Sequence, residues 1–359
     1  MRLLALVLVA WLVWSIGGAL LNPTGDSAAA KLAEWARDHQ LGFVVNAAET
    51  LQYDANPPAV GGSASVPVLP PVAPGPVSAA ALAAIVPPQM TTPAGPALAG
   101  EGTWDVLARV RGTPTLYGTF VRPDSTHTSY LAGVVSIDTR LVHFSLHPGT
   151  QDPGPGNWGS PTSVPEADRS RLLATFNGGF KIADAQGGFF LNGSTAGTLT
   201  PGAASIVFYR DGHVSVGVWG RDVGMAPDVV GVRQNLKLVI DHGVIPAAVD
   251  SNVETAWGAS IGGKYFVWRS GLGVTADGRL IFVYGPALSV RSLADLLHRA
   301  GCVTAMQMEI NPAWMSFMYY QPTATPTTPK PVKLLDSQER PADRYFTPTS
   351  RDFIEVTSS

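Results

Sequence analysis

The first apolar stretch runs without a charge from residue 3 to residue 21, rich in Leu, Val, Ala and Trp, with Arg2 just before it. A helix rises about 1.5 Å per residue, so these nineteen positions reach close to the roughly 30 Å of a bilayer's hydrocarbon core. The lone arginine favours a cytoplasmic N-terminus, which puts the rest of the chain outside. Gly17, Gly18 and Ala19 offer small residues where a signal peptidase would cut, so secretion after cleavage competes with an uncleaved anchor. The run is longer than a usual signal segment and lacks a polar end, which favours an anchor over residues 1–22. Both alternatives export the protein.

From residue 27 to 53 the apolar period becomes helical: Leu32, Trp35, Ala36, Leu41, Val44, Val45, Ala48 and Leu51 recur at that spacing, and Gly42 divides the run. Residues 23–56 are expected to form a juxtamembrane stalk, lying on the membrane surface or packed on the body. Between residues 57 and 100 the periodicity disappears. Eleven prolines sit there among Ala, Val, Gly and Ser with no charge, the composition of an extended, semi-rigid linker.

Beyond residue 101 the pattern is mostly that of strands. Runs at 131–137, 205–209, 214–219 and 236–240 are rich in Val, Ile and aromatics, and turn residues separate them. Ala276-Asp277-Gly278 joins the runs 271–275 and 280–284 into a hairpin. A helix follows, with Ser289 as its cap, Leu293, Leu296, Leu297 and Ala300 on one face, and Gly301 as its stop. The strand 303–310 comes next. Hairpin, helix and strand within an otherwise sheet-forming region of residues 101–359 predict an α+β domain.

Composition fits that picture. Of 359 residues, 45% are hydrophobic and 14% charged, enough to bury a sizeable core, and 38 Gly with 30 Pro suit a turn-rich fold. A net charge of −3 argues against nucleic acid as a partner. Cys302 is the single cysteine, so no internal disulfide forms, and no Cys/His spacing suggests zinc. No cofactor is expected, although scattered aspartates leave room for calcium.

Three places carry candidate chemistry. An apolar strand runs into Asn177, and Gly178 and Gly179 then let backbone or ligand come close. Asn177 brings a donor and an acceptor to that turn. Arg269 interrupts an apolar strand just before glycines, and a cation there needs an anion, either an internal carboxylate or a bound phosphate. On the strand 303–311, alternation puts Val303, Ala305, Gln307, Glu309 and Asn311 on one face. Met306, Met308 and Ile310 are then expected in the core, and Trp314 beyond Pro312 suits a sugar face.

In combination these motifs resemble the phosphodiester glycosidase family. Asn-Gly-Gly-Phe at 177–180, Arg-x-Gly-x-Gly-Val-x-x-Asp-Gly-Arg-Leu from Arg269 to Leu280, Ser-Leu-x-x-Leu-Leu at 292–297 and the polar strand carry the likeness. It spans residues 172–317. Where members carry Asn-Leu-Asp-Gly-Gly-Gly-Ser, this chain has Gln307-Met308-Glu309-Ile310-Asn311-Pro312-Ala313, the mark of a diverged branch. The resemblance implies an α+β fold and cleavage of a sugar-1-phosphodiester, releasing the sugar from a phosphomonoester. For that chemistry Glu309 is expected as general base or nucleophile, Arg269 as the phosphate clamp, and Asn177 and Gln307 as orienting groups. Asp241, in Val239-Ile-Asp-His-Gly243, is the best second carboxylate, with His242 beside it. The expected substrate is a phosphodiester-linked glycan of the envelope or an exopolysaccharide. A non-catalytic glycan-binding protein on the same fold is the alternative.

Overall fold

The computed structural model describes residues 2–72, 82–251, 257–258 and 266–359, without side chains at 2–5, 8, 46, 49, 50 and 52. Three helices come first: α1 Arg2–Leu21, α2 Ala28–Asp38 and α3 Gly42–Ala55. The break falls before Gly42, and Ser27 caps α2 by accepting the amide of Ala30. Among the described residues no helix is long and apolar enough to cross a membrane.

The strands begin with β1 Asp105–Val110, β2 Thr113–Val121, β3 Ala132–Asp138, β4 Val142–His147 and β5 Leu172–Asn177. Then come β6 Phe189–Leu191, β7 Ser194–Ala196, β8 Ala204–Tyr209, β9 Val214–Val218, β10 Val229–Gln234 and β11 Leu238–Ile240. The hairpin β12 Val267–Thr275 and β13 Arg279–Leu288 leads through helix α4 Val290–Arg299 to β14 Cys302–Gln307. The chain closes with β15 Phe317–Gln321, β16 Lys330–Lys333 and β17 Phe353–Ser358.

These strands make three sheets, ordered β1-β2-β3-β13-β12-β14-β11, β7-β6-β10-β8-β9 and β16-β15-β5-β17-β4. Strand β13 is central in the first, and its unbroken apolar run is what a strand buried on both faces requires. Leu280, Phe282 and Tyr284 face the main core, while Ile281 and Val283 face the layer under α4. Rings from different sheets meet in that core: Phe282 lies 4.8 Å from Phe176 and 5.8 Å from Phe317 between centroids. Helix α4 contributes Leu293, Leu296 and Leu297, all fully buried, to the other layer. The fold is thus α+β and mostly sheet.

The described parts of the proline-rich stretch, residues 57–72 and 82–100, carry no helix or strand, as their missing amide donors favour, and they touch the body. The amide of Gly61 donates to the carbonyl of Thr126 at 2.7 Å, and Trp104 Nε1 donates to that of Pro88 at 2.8 Å. Met90 is buried in the layer under α4. Arg122 grips the carboxylate of Glu101 and the carbonyls of Ala94 and Pro96, fixing the end of the stretch.

Candidate active site

Strand β14 ends at Gln307, and the chain beyond it opens a cavity of about 710 Å³ against α2 and α3. Glu309, Asn311 and Trp314 line it, with Lys181, Arg351 and Glu34. Its apolar part includes Phe266, Trp268 and Ala33.

Alternation carries Met306 and Met308 into the main core, as the strand pattern requires, while Ile310 packs in a satellite cluster with Phe180 and Leu236. At Glu309 the carboxylate folds back on its own chain. Its Oε1 accepts the amides of Ile310 at 2.8 Å and Asn311 at 3.1 Å. Its Oε2 is 3.6 Å from a guanidinium nitrogen of Arg351. Burial raises the Glu309 pKa to about 7, against the opposing pull of Arg351 and the two amides. Such a carboxylate changes charge near neutrality, where a general base is most useful.

Asn177 acts one step back. Its Nδ2 donates to Ser270 Oγ at 3.1 Å, and the same hydroxyl accepts the amide of Glu309 at 3.1 Å. Its Oδ1 takes the amide of Ser316 at 3.1 Å. Asn177 therefore brackets the two ends of the segment that carries Glu309. Gly178 and Gly179 make room for a buried ion pair. A Cβ at Gly178 would fall 1.9 Å from Asp352 Oδ2, and one at Gly179 would crowd the Arg233 guanidinium at 3.1 Å. Arg233 and Asp352 have fully buried side chains and meet at 2.8 Å.

Arg269 and Gln307 meet each other away from the cavity lining. Arg269 Nη1 donates to Gln307 Oε1 at 2.9 Å and its Nε to the carbonyl of Leu288 at 2.8 Å. Gln307 Nε2 donates to the carbonyl of Trp257 at 3.0 Å. Burial lowers the Arg269 pKa to about 9. Asp241 and His242 are not brought to the cavity. They sit in a tight turn, with φ of 48° at His242 and 78° at Gly243, and the Gly243 amide bonds the carbonyl of Val303. That is the opposite end of β14 from Glu309, about 20 Å away at a strand's rise of roughly 3.3 Å per residue. Arg221 holds Asp241 there by two bonds of 2.6 and 2.9 Å.

The groups that motif reading did not single out are Arg351, Lys181, Glu34, Arg233, Asp352 and Asp152. Arg351 is the hub, 3.3 Å from Glu34 and 3.6 Å from Glu309. Its guanidinium carbon stands 5.3 Å from the centroid of Trp314, and that of Arg340 stands 4.7 Å away, so cations rather than open space cover the indole. Asp152 is buried beside this cluster, and burial raises its pKa despite Arg351 and Arg233. Its two oxygens share the amide of Ile182. One signal does stand in the sequence: Arg233 interrupts an apolar strand just as Arg269 does, and Arg351-Asp352 puts opposite charges directly before the apolar pair Phe353-Ile354.

No family model matches this chain, and no curated protein matches it. Among solved structures it is similar to the zebrafish N-acetylglucosamine-1-phosphodiester alpha-N-acetylglucosaminidase catalytic domain auto-inhibited by pro-peptide. That likeness has 14% identity and a TM-score of 0.45, covering 71% of this chain and 87% of that one. It is also similar to a hypothetical protein from Synechocystis, at 13% identity and a TM-score of 0.43, covering 69% of this chain and 63% of that one. The likeness is one of fold and assigns neither family nor activity.

Proposed function

We propose that this chain is a membrane-anchored, extracytoplasmic hydrolase that cleaves a sugar-1-phosphodiester linkage in an envelope or exopolysaccharide glycan. The apolar N-terminal run supports the anchor, and the motif resemblance supports the substrate class. One observation carries the chemistry: a buried carboxylate, Glu309, poised to ionise near pH 7 beside a guanidinium at the wall of a cavity.

Hydrolysis at an anomeric carbon needs a group that activates water and a leaving group that accepts an electron pair. A phosphate leaves readily, so positioning and stabilisation of its charge count for more than acid assistance. Glu309 as general base takes a proton from water, and the hydroxide equivalent bonds to the anomeric carbon. The bond from that carbon to the phosphate oxygen breaks with its electrons on oxygen, giving free sugar and a phosphomonoester. Asn177 acts through Ser270 to hold the Glu309 backbone, and Arg269 with Gln307 stiffens the strand end beneath it. Asp241 has no part in this cavity chemistry.

The test is release of sugar from a panel of sugar-1-phosphodiesters by the full chain and by Glu309→Gln. Turnover by the parent and a loss of at least about 10³-fold in the variant, with an unchanged fold, is the expected result. Retained turnover removes Glu309 from the mechanism. A second reading, a non-catalytic glycan-binding protein, is favoured by Ile310-Asn311-Pro312-Ala313 standing where the family has a glycine-rich loop. Saturable glycan binding with no turnover by the parent would select it.

A further inference from the structure

The cavity has an occupant of its own. Helix α2 projects Glu34 into it, and that residue is 3% exposed, too deeply buried for an ionised group that lacks partners. Its partners are two cations of the cavity wall, Lys181 and Arg351. Lys181 Nζ lies 2.7 Å from Glu34 Oε1, and Arg351 Nη1 lies 3.3 Å from the same oxygen. The rest of the segment repeats the theme. Asp38 pairs with Lys181, and Asp26 meets Arg340 at 2.7 Å. Each of these three carboxylates thus neutralises a cation of the cavity wall or one stacked on Trp314. Burial alone would raise the Glu34 pKa, yet Arg351 and Lys181 together hold it below the usual carboxylate value.

Two features mark the place as a subsite for an anion brought from outside. Arg351 reaches Glu34 and Glu309 only through its terminal nitrogens, and its buried Nε has no hydrogen-bond partner among the described residues. A phosphate, with more acceptor oxygens than a carboxylate, satisfies a guanidinium and an ammonium more fully. The contact is also held by α2, an eleven-residue helix joined at both ends by non-helical chain, at 22–27 and 39–41. A carboxylate on such an element leaves when the element swings.

We propose that Lys181 and Arg351 form a binding subsite for a phosphate group, and that α2 fills it from within, Glu34 standing where a ligand's phosphate oxygens bind. The inference rests on the hydrolase proposal only in naming the phosphate as part of a sugar phosphodiester. The N-terminal segment is then a built-in competitor: ligand enters by displacing Glu34, and anything that draws α2 away opens the site.

The experiment is calorimetric titration of inorganic phosphate into the full-length protein in detergent, alongside Glu34→Gln and the double variant Glu34→Gln/Lys181→Gln. Removing an internal competitor raises apparent affinity by the reciprocal of the fraction of time the site was free, so with Glu34 seated at least about nine-tenths of the time Glu34→Gln should bind at least about tenfold more tightly than the parent. The double variant should lose that gain. Equal affinity of Glu34→Gln and the parent overturns the proposal, as does a double variant that binds as tightly as Glu34→Gln. Should Glu34→Gln fail to fold, hydrogen exchange of the unchanged protein decides: phosphate should speed exchange in Ala28–Asp38, and unaltered exchange under saturating phosphate overturns the proposal. Tighter phosphate binding without any turnover would sink the hydrolase proposal alone. Turnover without that gain would sink the plug alone.

Discussion

Glu309 concentrates the physical problem of this protein in one side chain. Its folded pKa is about 7, against an ordinary value of 4.5, so the folded state prefers it protonated. The stability it contributes is full below about pH 4.5 and is lost as pH rises through 7. Above that the ionised group costs roughly 3 kcal/mol at most, because each tenfold change in proton affinity is worth about 1.4 kcal/mol. Glu309→Gln cannot ionise. It should therefore be more stable than the parent at pH 8 by about 2–3 kcal/mol and no more stable at pH 4.5. Urea midpoints at the two pH values check this, and an equal difference at both contradicts it. A carboxylate kept at such a cost is typical of a site selected for reactivity rather than stability. Cys302 is the opposite case. Burial pushes its thiol pKa up, and it packs as a small apolar group under α4.

At the scale of elements, what the sequence reveals depends on how local the signal is. The hairpin β12–β13, the helix α4 and the division of the N-terminal helices near Gly42 are readable because period, cap and turn sit within a few residues of one another. Helix α4 adds a test. Ser289 accepts the amide of Ser292 while the Ser292 hydroxyl accepts that of Ser289, a reciprocal cap that satisfies two otherwise orphaned donors. Ser289→Ala should cost about 1 kcal/mol, seen as a lower urea midpoint with an unchanged slope, and an unaltered midpoint would show that packing alone holds the helix start. The partners of Arg233 and Glu34 were not legible, because they are set by long-range pairing. Strand β17 pairs with β5 through Phe353 and Asn177, which carries Arg351 and Asp352 to the glycine turn that follows Asn177. The same limit applies to Arg269. A cation on an apolar strand signals hidden partners, but not whether they include a phosphate or, as with Gln307 and the Leu288 carbonyl, groups of the chain itself.

Over the whole molecule, the arrangement joins a proposed anchor helix, a sheet-rich body and a cavity whose wall comes from both the body and the N-terminal helices. Helix α1 packs on α2 through Trp35 Nε1, which donates to Ser15 Oγ at 2.9 Å, and α2 carries Glu34 to Arg351. The first helix and the candidate site are thus two contacts apart, and the described parts of the proline-rich stretch touch the body. If the proposed anchor holds, a glycan near the membrane surface would meet the cavity mouth beside the N-terminal helices. The central claim is that the bond cut is the one at the sugar's anomeric carbon, with Glu309 activating the water. Turnover of a sugar-1-phosphodiester in ¹⁸O-labelled water, read by mass spectrometry of both products, tests it most directly. The account predicts label in the sugar hydroxyl and none in the phosphomonoester; label in the phosphate, or no turnover at all, would contradict it.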